Sequence, residues 1–258
     1  MEPHMIEPST KRYAVILPAC DEEACIAAVL TELRAVLDPA RFTFAVGVND
    51  SRDRTADFAQ ECGAVVGETA SRGYGHGCQA AVDEIARRGL AVDAYIFCAS
   101  DGANDPRDIP ALIAAHERGV DMVLGSRTTE RANWTAMNAH YVFANRAFGF
   151  LTGLLTGRFF TDLGPLRLIE RDLFHAMNLR EWTYGWTIEA QIRAVQLGAS
   201  IVEIPVRERE RIAGEQKVGR VSWRRTLSVG MKIVAAGMRA RFAMARPAER
   251  VVARLAVR

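Results

Sequence analysis

Acidic side chains follow two of the apolar runs in the first half of the sequence, close to the point where each run ends. Three consecutive acids, residues 21–23, come shortly after the run 13–17, and Asp101 follows the run 94–98. Proteins typically hold Mg²⁺ with one or two carboxylates and phosphate oxygens, so Asp101 is a candidate for a cation that bridges two phosphates. Both groups also have a structural interpretation. Residues 21–23 can cap a helix and favour its first turn, and Asp101 can belong to a helix-entry turn that ends in Asp105-Pro106.

Two further polar segments have weaker signals. Residues 48–55, which include Asn49 and Asp50, follow another apolar run and are typical of a turn whose side chains bind its own backbone. The glycine-rich segment 72–77 lacks the spacing of a dinucleotide-binding motif, and it does not lie between a first strand and its helix. Neither segment alone indicates a function.

These polar segments belong to an alternation of strand-like and helix-like patterns. The short apolar runs that have the length of buried strands are residues 13–17, 42–48, 64–66, 94–98 and 122–124. The segments between them that have helical character are residues 26–37, 55–62, 76–88 and 109–118. The alternation predicts a mostly parallel twisted sheet with helices on both faces, in which ligands bind beyond the carboxyl ends of the strands. We expect the segments after residues 17, 48, 98 and 124 to meet at one cleft.

The second half is less regular. Its pattern predicts helices at 145–156 and 188–197, strands at 163–169 and 201–206, and a mobile charged loop at 207–219. With 258 residues, of which 49% are hydrophobic and 25% charged, the chain suits one globular α/β domain and not a disordered protein.

A series of short motifs, taken in order, resembles the pattern of family 2 glycosyltransferases of GT-A fold. In the first half they are PACDEE (18–23), VNDSRDRT (48–55), RGYG (72–75), ASDG (99–102) and GSR (125–127). Later motifs resemble the branch that contains the dolichyl- and polyprenyl-phosphate sugar synthases. They are TDLGPLR (161–167), YGWTIE (184–189) and IPV (204–206), followed by Arg211 and GEQK (214–217). The resemblance covers residues 12–235.

The resemblance implies a metal-dependent hexosyltransferase with a single GT-A domain. Its donor would be a nucleotide diphosphate sugar of the UDP-glucose or GDP-mannose type, its cofactor Mg²⁺ or Mn²⁺, and its acceptor polyprenyl phosphate or another phosphorylated molecule. The residues implied in nucleotide-sugar binding are Pro18, Ala19, Glu22, Asn49, Asp50 and Asp101, of which Asp101 would also hold the metal. Asp162 is the candidate base that orients or deprotonates the acceptor, with Glu189 as the alternative. Arg127, Arg211 and Lys217 would bind phosphate, which guanidinium groups can contact through two bonds.

The sequence departs from the family pattern at four positions. Ala99 replaces the first acid of the D-x-D motif, Val48 falls where an aspartate is expected, and Cys20 and Asp21 differ in the first motif. One missing carboxylate weakens Mg²⁺ binding without abolishing it, because the diphosphate and water fill most of the six positions. An alternative therefore stays open: a catalytically weak or inactive nucleotide-sugar-binding protein of the same fold.

The C-terminal segment is strongly basic. We divide the chain into a flexible N-terminus (1–11), the GT-A domain (12–220) and a basic amphipathic helix with its tail (221–258). In that helix the residues predicted to form an apolar face are Trp223, Leu227, Val234 and Met238, and the basic residues opposite are Arg225, Lys232, Arg239 and Arg246. The helix either packs on the domain or lies on an anionic membrane surface. Few aromatic residues accompany the basic ones, which argues against nucleic acid.

The five cysteines form no CxxC pair, and the N-terminus contains no apolar run typical of a signal peptide. We therefore expect reduced thiols and a cytoplasmic protein, peripheral on the inner membrane face if the lipid interpretation holds.

Overall fold

Seven strands form one sheet in the computed structural model, which describes residues 10–137, 139–213 and 223–243. The strands are β1 (Tyr13–Ala19), β2 (Phe42–Asn49), β3 (Val65–Thr69), β4 (Ala94–Phe97), β5 (Met122–Ser126), β6 (Arg167–Glu170) and β7 (Ile201–Pro205). Their order is β3-β2-β1-β4-β6-β5-β7. Only β6 runs antiparallel to its neighbours, β4 and β5. The predicted mostly parallel sheet is thus confirmed.

Helices cover both faces of this sheet. They are α1 (Ile26–Val36), α2 (Thr55–Glu61), α3 (Tyr74–Arg87), α4 (Ile109–Glu117), α5 (Ala139–Thr156), α6 (Arg171–Met177), α7 (Trp186–Gln196) and α8 (Trp223–Phe242). Alternate residues of β1 enter two different cores: Val15 and Leu17 pack in the core that contains Leu30 of α1, whereas Ala14 and Ile16 pack in the core that contains Ile85 of α3. A strand buried on both faces needs the unbroken apolar run that the sequence shows.

The strand β1 continues through Pro18, although the sequence predicts that it ends at residue 17. Pro18 still pairs with Gly47 of β2, while the pairing of β1 with β4 ends at Ile16. The carbonyl of Pro18 accepts a hydrogen bond from the Ser100 hydroxyl at 2.8 Å, on the side that β4 has left. Proline lacks an N–H group, so it is tolerated where a ladder no longer requires that donor.

The helix α3 lies unusually close to β2. A β carbon built on Gly47 would lie 1.8 Å from the carbonyl oxygen of Gly77. Only glycine permits this approach, which brings the start of α3 to the carboxyl ends of β1 and β2. The Cβ of Pro18 would in turn lie 2.9 Å from a β carbon at Gly77.

The helix α8 packs on the domain through small residues. Ala236 and Ala240 are buried in a core with Ile188 and Ile192 of α7. Val234 and Met238 remain 38% and 41% exposed, so the face predicted to be apolar is not the face that packs. The two alternatives for this helix are therefore compatible. No helix among the described residues combines the length and hydropathy of a membrane span.

Candidate active site

The turns after β1 and β2 are bound to each other by reciprocal hydrogen bonds. The N–H of Asp21 donates to Ser51 Oγ at 2.9 Å, and the N–H of Arg52 donates to Asp21 Oδ1 at 2.8 Å. Residues 23, 53 and 54 repeat the arrangement: the N–H of Glu23 donates to the Asp53 carboxylate, and Glu23 accepts from the next backbone N–H. The predicted helix cap is wrong, since α1 begins at Ile26 without a side-chain cap or an acid in its first turn. The acids instead fix the shape of the adjacent turns.

Asn49 connects three parts of the predicted nucleotide pocket. Its Nδ2 donates to the carbonyl of Ala19 at 2.8 Å, and its Oδ1 accepts from the N–H of Gly73 at 3.0 Å. Asn49 is buried, so it acts here as a brace between β1 and the start of α3. Asp50, in left-handed backbone conformation, keeps its carboxylate partly exposed, 3.8 Å from Arg72 Nη1. Of these residues Asp50 offers the more accessible polar group.

Asp101 lies in the turn after β4 with one oxygen directed at its own turn. Its Oδ1 accepts from the N–H of Ala103 at 3.0 Å, and its side chain is 26% exposed. Asp105, not Asp101, caps the following helical turn by accepting from the N–H of Arg107. The segment is therefore a helix-entry turn that ends in Asp105-Pro106, as the structural interpretation has it, and Asp101 retains an accessible carboxylate oxygen.

The segment 207–213 crosses over this turn. The N–H of Ile212 donates to the carbonyl of Asp101 at 2.9 Å, and the N–H of Arg209 donates to that of Ala103 at 2.8 Å. Asn104 and Glu208 form an isolated antiparallel bridge. Residues 207–213 of the predicted mobile loop are thus bound to the domain, through these backbone contacts and through ion pairs of Arg207, Glu208, Arg209 and Arg211. Residues 214–219 of that prediction, with Lys217, lie outside the described residues.

Arg211 joins the turns after β1 and β4. Its Nη2 lies 2.5 Å from Glu22 Oε2, and its Nη1 lies 4.0 Å from Asp101 Oδ2. Burial disfavours the Arg211 cation, but Glu22 and then other neighbours raise its pKa overall. Glu22 is buried, so its carboxylate is largely occupied by this ion pair. The structure thus brings two predicted site residues, Glu22 and Arg211, into direct contact.

Arg127, which follows β5, is held by a buried carboxylate. Its backbone N–H and Nε donate to Asp162 Oδ2, both at 2.8 Å, and its Nη2 donates to Asp162 Oδ1 at 3.0 Å. Its Nη1 lies 3.2 Å from Glu208 Oε1. Burial disfavours the Arg127 cation, but the two carboxylates outweigh this and raise its pKa. Both oxygens of Asp162 are therefore engaged, which favours a positioning role for Asp162 over that of a base.

Glu189 lies in a different environment. Its Oε2 accepts from the backbone N–H groups of Arg180 and Glu181, at 2.9 and 2.7 Å, and Oε1 lies 3.5 Å from Arg193. The side chain is buried and holds the segment before α7. Its contacts are structural, and its assignment as the alternative base stays a prediction.

Glu208 is the site residue that the motifs did not select. Burial raises its pKa to about 7, Arg127 lowers it in part, and Asp162 raises it further. Glu208 follows β7, which runs parallel to β5, so its position at the carboxyl edge of the sheet was a usable signal. The segments after β1, β2, β4, β5 and β7 thus meet at one edge, as expected for the first four segments that the sequence indicated.

The oxygen atoms at this edge of the sheet suit a cation such as Mg²⁺ only if a bound phosphate supplies further oxygen atoms. Among residues 10–137, 139–213 and 223–243, no group of three His, Cys, Asp or Glu side chains is arranged to hold a metal ion. Asp101 nevertheless offers a carboxylate oxygen at a strand end, and Mg²⁺ commonly combines such an oxygen with phosphate oxygens. The chemistry of the site fits a metal bound together with a diphosphate.

Known proteins that are similar to this chain in sequence identify its family. The family model described as Glycosyl transferase family 2 matches residues 14–177. A dolichyl-phosphate hexose transferase of Haloferax volcanii is 32% identical over 83% of this chain and 90% of that protein. An undecaprenyl-phosphate mannosyltransferase of Micrococcus luteus is 27% identical over 80% of this chain and 87% of that protein.

One solved structure extends the comparison to the fold. Glucosyl-3-phosphoglycerate synthase from Mycobacterium tuberculosis, in complex with Mn²⁺, uridine diphosphate and phosphoglyceric acid, superposes with a TM-score of 0.67 at 18% identity. The match covers 93% of this chain and 81% of that chain. At this identity the likeness is one of fold, and it confirms the predicted GT-A arrangement.

Proposed function

This chain belongs to glycosyl transferase family 2, and we propose that it transfers a hexose from a nucleotide diphosphate sugar to polyprenyl phosphate. The observation that carries the proposal is the single edge where the Asp101 turn, Glu22 and Arg127 are joined through residues 207–213. One part of this edge offers an accessible carboxylate and the other a buried guanidinium. The names of the similar proteins, which act on dolichyl and undecaprenyl phosphate, support the lipid acceptor.

On the donor side, Asp101 would hold Mg²⁺ or Mn²⁺, which supplies positive charge to the departing nucleoside diphosphate. The Mn²⁺ and uridine diphosphate in the solved structure of similar fold support this assignment. Pro18, Ala19 and Asp50 would surround the base and ribose, with Asn49 as the brace behind them. Glu22 would reach the donor only by releasing Arg211, so donor binding and this ion pair compete.

On the acceptor side, Arg127 would bind the lipid phosphate in the orientation that Asp162 fixes. A phosphate is already anionic at neutral pH, so the acceptor oxygen can attack the anomeric carbon without first losing a proton to a protein base. The new bond joins the acceptor oxygen to the anomeric carbon with inversion, while the bond from that carbon to the diphosphate breaks and the nucleoside diphosphate leaves. Arg211 and Lys217 would contribute further positive charge, which guanidinium groups direct most effectively.

The transfer is tested with purified protein, polyprenyl phosphate and labelled UDP-glucose or GDP-mannose, with and without Mn²⁺. We expect metal-dependent formation of a lipid-linked sugar, lost in Asp101→Ala and kept in the control Asp57→Ala, whose side chain is exposed on α2. Metal-dependent nucleotide binding without transfer or donor hydrolysis would instead support the inactive binding protein. If the protein neither binds nor transfers any nucleotide sugar, the transferase proposal and the alternative of an inactive binding protein are both overturned.

We also propose that α8 binds an anionic membrane surface, which would bring the site to its lipid acceptor. Met231, Val234, Met238 and Phe242 form one exposed stripe of the helix, between 38% and 74% exposed. Lys232 and Arg239 lie beside that stripe and are also exposed. The side chains of Trp223, Arg225 and Leu227 and residue Arg246, predicted to extend both faces, lie outside the described residues.

Vesicle sedimentation tests this surface. Each basic residue near an anionic surface contributes about 1 kcal/mol, so Lys232→Glu with Arg239→Glu should weaken binding by roughly 30-fold or more. High salt should release the parent protein. The control is Arg88→Glu, at an exposed position directly after α3, and it should bind like the parent. If the parent, the double variant and the control all bind equally, the proposal for α8 is wrong. The exposed apolar stripe of α5, which contains Phe150 and Leu154, would then be the candidate membrane surface.

A further inference from the structure

The turn after β4 supplies only one carboxylate to the proposed metal. Asp101 is the accessible acid of that turn, since Asp105 is buried and paired with Arg107, and Ala99 stands where the family pattern has the other acid. A cation that neutralises a diphosphate is held more tightly by two carboxylates than by one. A second carboxylate, if one exists, must therefore come from another element.

A short chain of contacts leads from residue 99 to such a carboxylate. The N–H of Ala99 donates to Asn104 Oδ1 at 2.9 Å, and Asn104 Nδ2 lies 3.5 Å from Glu208 Oε2. Asn104 is 2% exposed, so its amide is fixed between the two. The isolated bridge between Asn104 and Glu208 holds the backbones in the same register. Glu208 thus lies beside the turn that lacks the acid.

The backbone of Glu208 is fixed, and its carboxylate is held by longer contacts than those of Asp162. Its N–H donates to Asn133 Oδ1 at 2.9 Å. The carboxylate lies 3.2 Å from Arg127 and 3.5 Å from Asn104, longer than the 2.8 Å contact of Arg127 with Asp162. A divalent cation bound nearby would compete with Arg127 for this carboxylate through its higher charge, and a change of glutamate rotamer could carry the carboxylate from one to the other.

We propose that Glu208 is the second carboxylate that holds the divalent cation together with Asp101. The inference rests on the proposed function, because it takes the cation to be bound with the donor diphosphate. It assigns to the segment after β7 the ligand that position 99 has lost. The same movement would release Nη1 of Arg127, which Glu208 occupies in this structure, for the acceptor phosphate. Donor and metal would then bind before the acceptor.

The test measures Mn²⁺ binding by electron paramagnetic resonance, in the presence of UDP or GDP and without any sugar transfer. Glu208→Gln should weaken Mn²⁺ binding by about 10-fold or more, the range that loss of a metal-supporting side chain produces. The matched control is Glu210→Gln, an exposed glutamate two residues along the same segment, which should bind Mn²⁺ like the parent. Adding Ala99→Asp to Glu208→Gln should restore the affinity, because it returns a carboxylate to the turn.

The outcomes separate this inference from the proposed function. If the parent fails to bind Mn²⁺ in the presence of UDP and also in the presence of GDP, the proposed donor site itself is wrong. If the parent binds Mn²⁺ and Glu208→Gln binds it equally well, the second-carboxylate inference alone is overturned. Circular dichroism establishes whether Glu208→Gln is folded. If it is not, Glu208→Asp keeps the charge, shortens the reach by one methylene and should show a smaller loss of affinity than Asp101→Asn.

Discussion

Replacing Asp162 by Asn tests whether this carboxylate positions Arg127 or acts as a base. Three donors of Arg127 reach both oxygens of Asp162: the backbone N–H and Nε reach Oδ2, and Nη2 reaches Oδ1. An asparagine side chain must present its own NH₂ group to at least one of these donors, whichever way it is turned. The substitution therefore removes the charge and also creates a contact between two donors.

The expected cost follows from burial. The side chains of Arg127 and Asp162 are 12% and 1% exposed. Breaking such a buried pair by removing one partner costs about 3–5 kcal/mol. Glu208 still faces Arg127 at 3.2 Å, so we expect the lower end, about 3 kcal/mol.

Urea denaturation followed by circular dichroism measures this loss, which should lower the midpoint by about 1–2 M. The control is Asp172→Asn, which removes an ion pair with Arg171 in which both side chains are nearly half exposed. Exposed pairs contribute about 0–1 kcal/mol, so the control should unfold like the parent. If Asp162→Asn keeps the stability of the parent and loses only sugar transfer, the positioning role is refuted and the base role stands.

Three further predictions concern other parts of the structure. Gly47→Ala should cost more than about 3 kcal/mol or prevent folding, since its β carbon would overlap the carbonyl oxygen of Gly77; thermal denaturation measures this. In metal-free protein the raised pKa of Glu208 stabilises the fold at low pH, and this stabilisation is lost as pH rises through about 7. Relative to parent, Glu208→Gln should gain about 3 kcal/mol between pH 4.5 and 8, whereas a constant difference in the unfolding free energy would contradict the assignment. Arg211→Lys should weaken donor binding in calorimetry, because a lysine ammonium cannot make the two-bond contact with a phosphate that a guanidinium makes; equal affinities would show that Arg211 does not bind the donor phosphate.

The fold was predictable because its signals are local. The runs that became β1 and β4 are apolar without interruption, and β2 is interrupted only by Thr43 before its last residue; buried parallel strands require such a pattern. The residues at which strands begin and end were less predictable. Strand β1 extends through Pro18 because β4 has already diverged, a fact about a distant segment. The strand predicted at 163–169 is found only from Arg167 to Glu170.

The site was only partly predictable, for the same reason. The motifs brought Glu22, Asp101 and Arg127 to notice because each follows a strand. They could not show that Arg211 lies against Glu22, or that Asp162 is saturated by Arg127, since these contacts join residues far apart in the chain. Glu208 lies in a stretch where arginine and glutamate alternate, residues 207–211. Only its tertiary contact with Arg127 distinguishes it from the other glutamate there.

The antiparallel strand β6 has a consequence for the order in which the chain can fold. Strands β1 to β4 pair among themselves, so the half sheet β3-β2-β1-β4 needs nothing beyond Phe97. The open side of β4 is covered only by β6, which begins at Arg167, and among the described residues β5 pairs with β6 and β7 alone. During synthesis an apolar strand edge therefore remains uncovered while α4 and α5 are made. Uncovered edges template association with other chains, so the first half of this protein is most vulnerable to aggregation just before β6 leaves the ribosome.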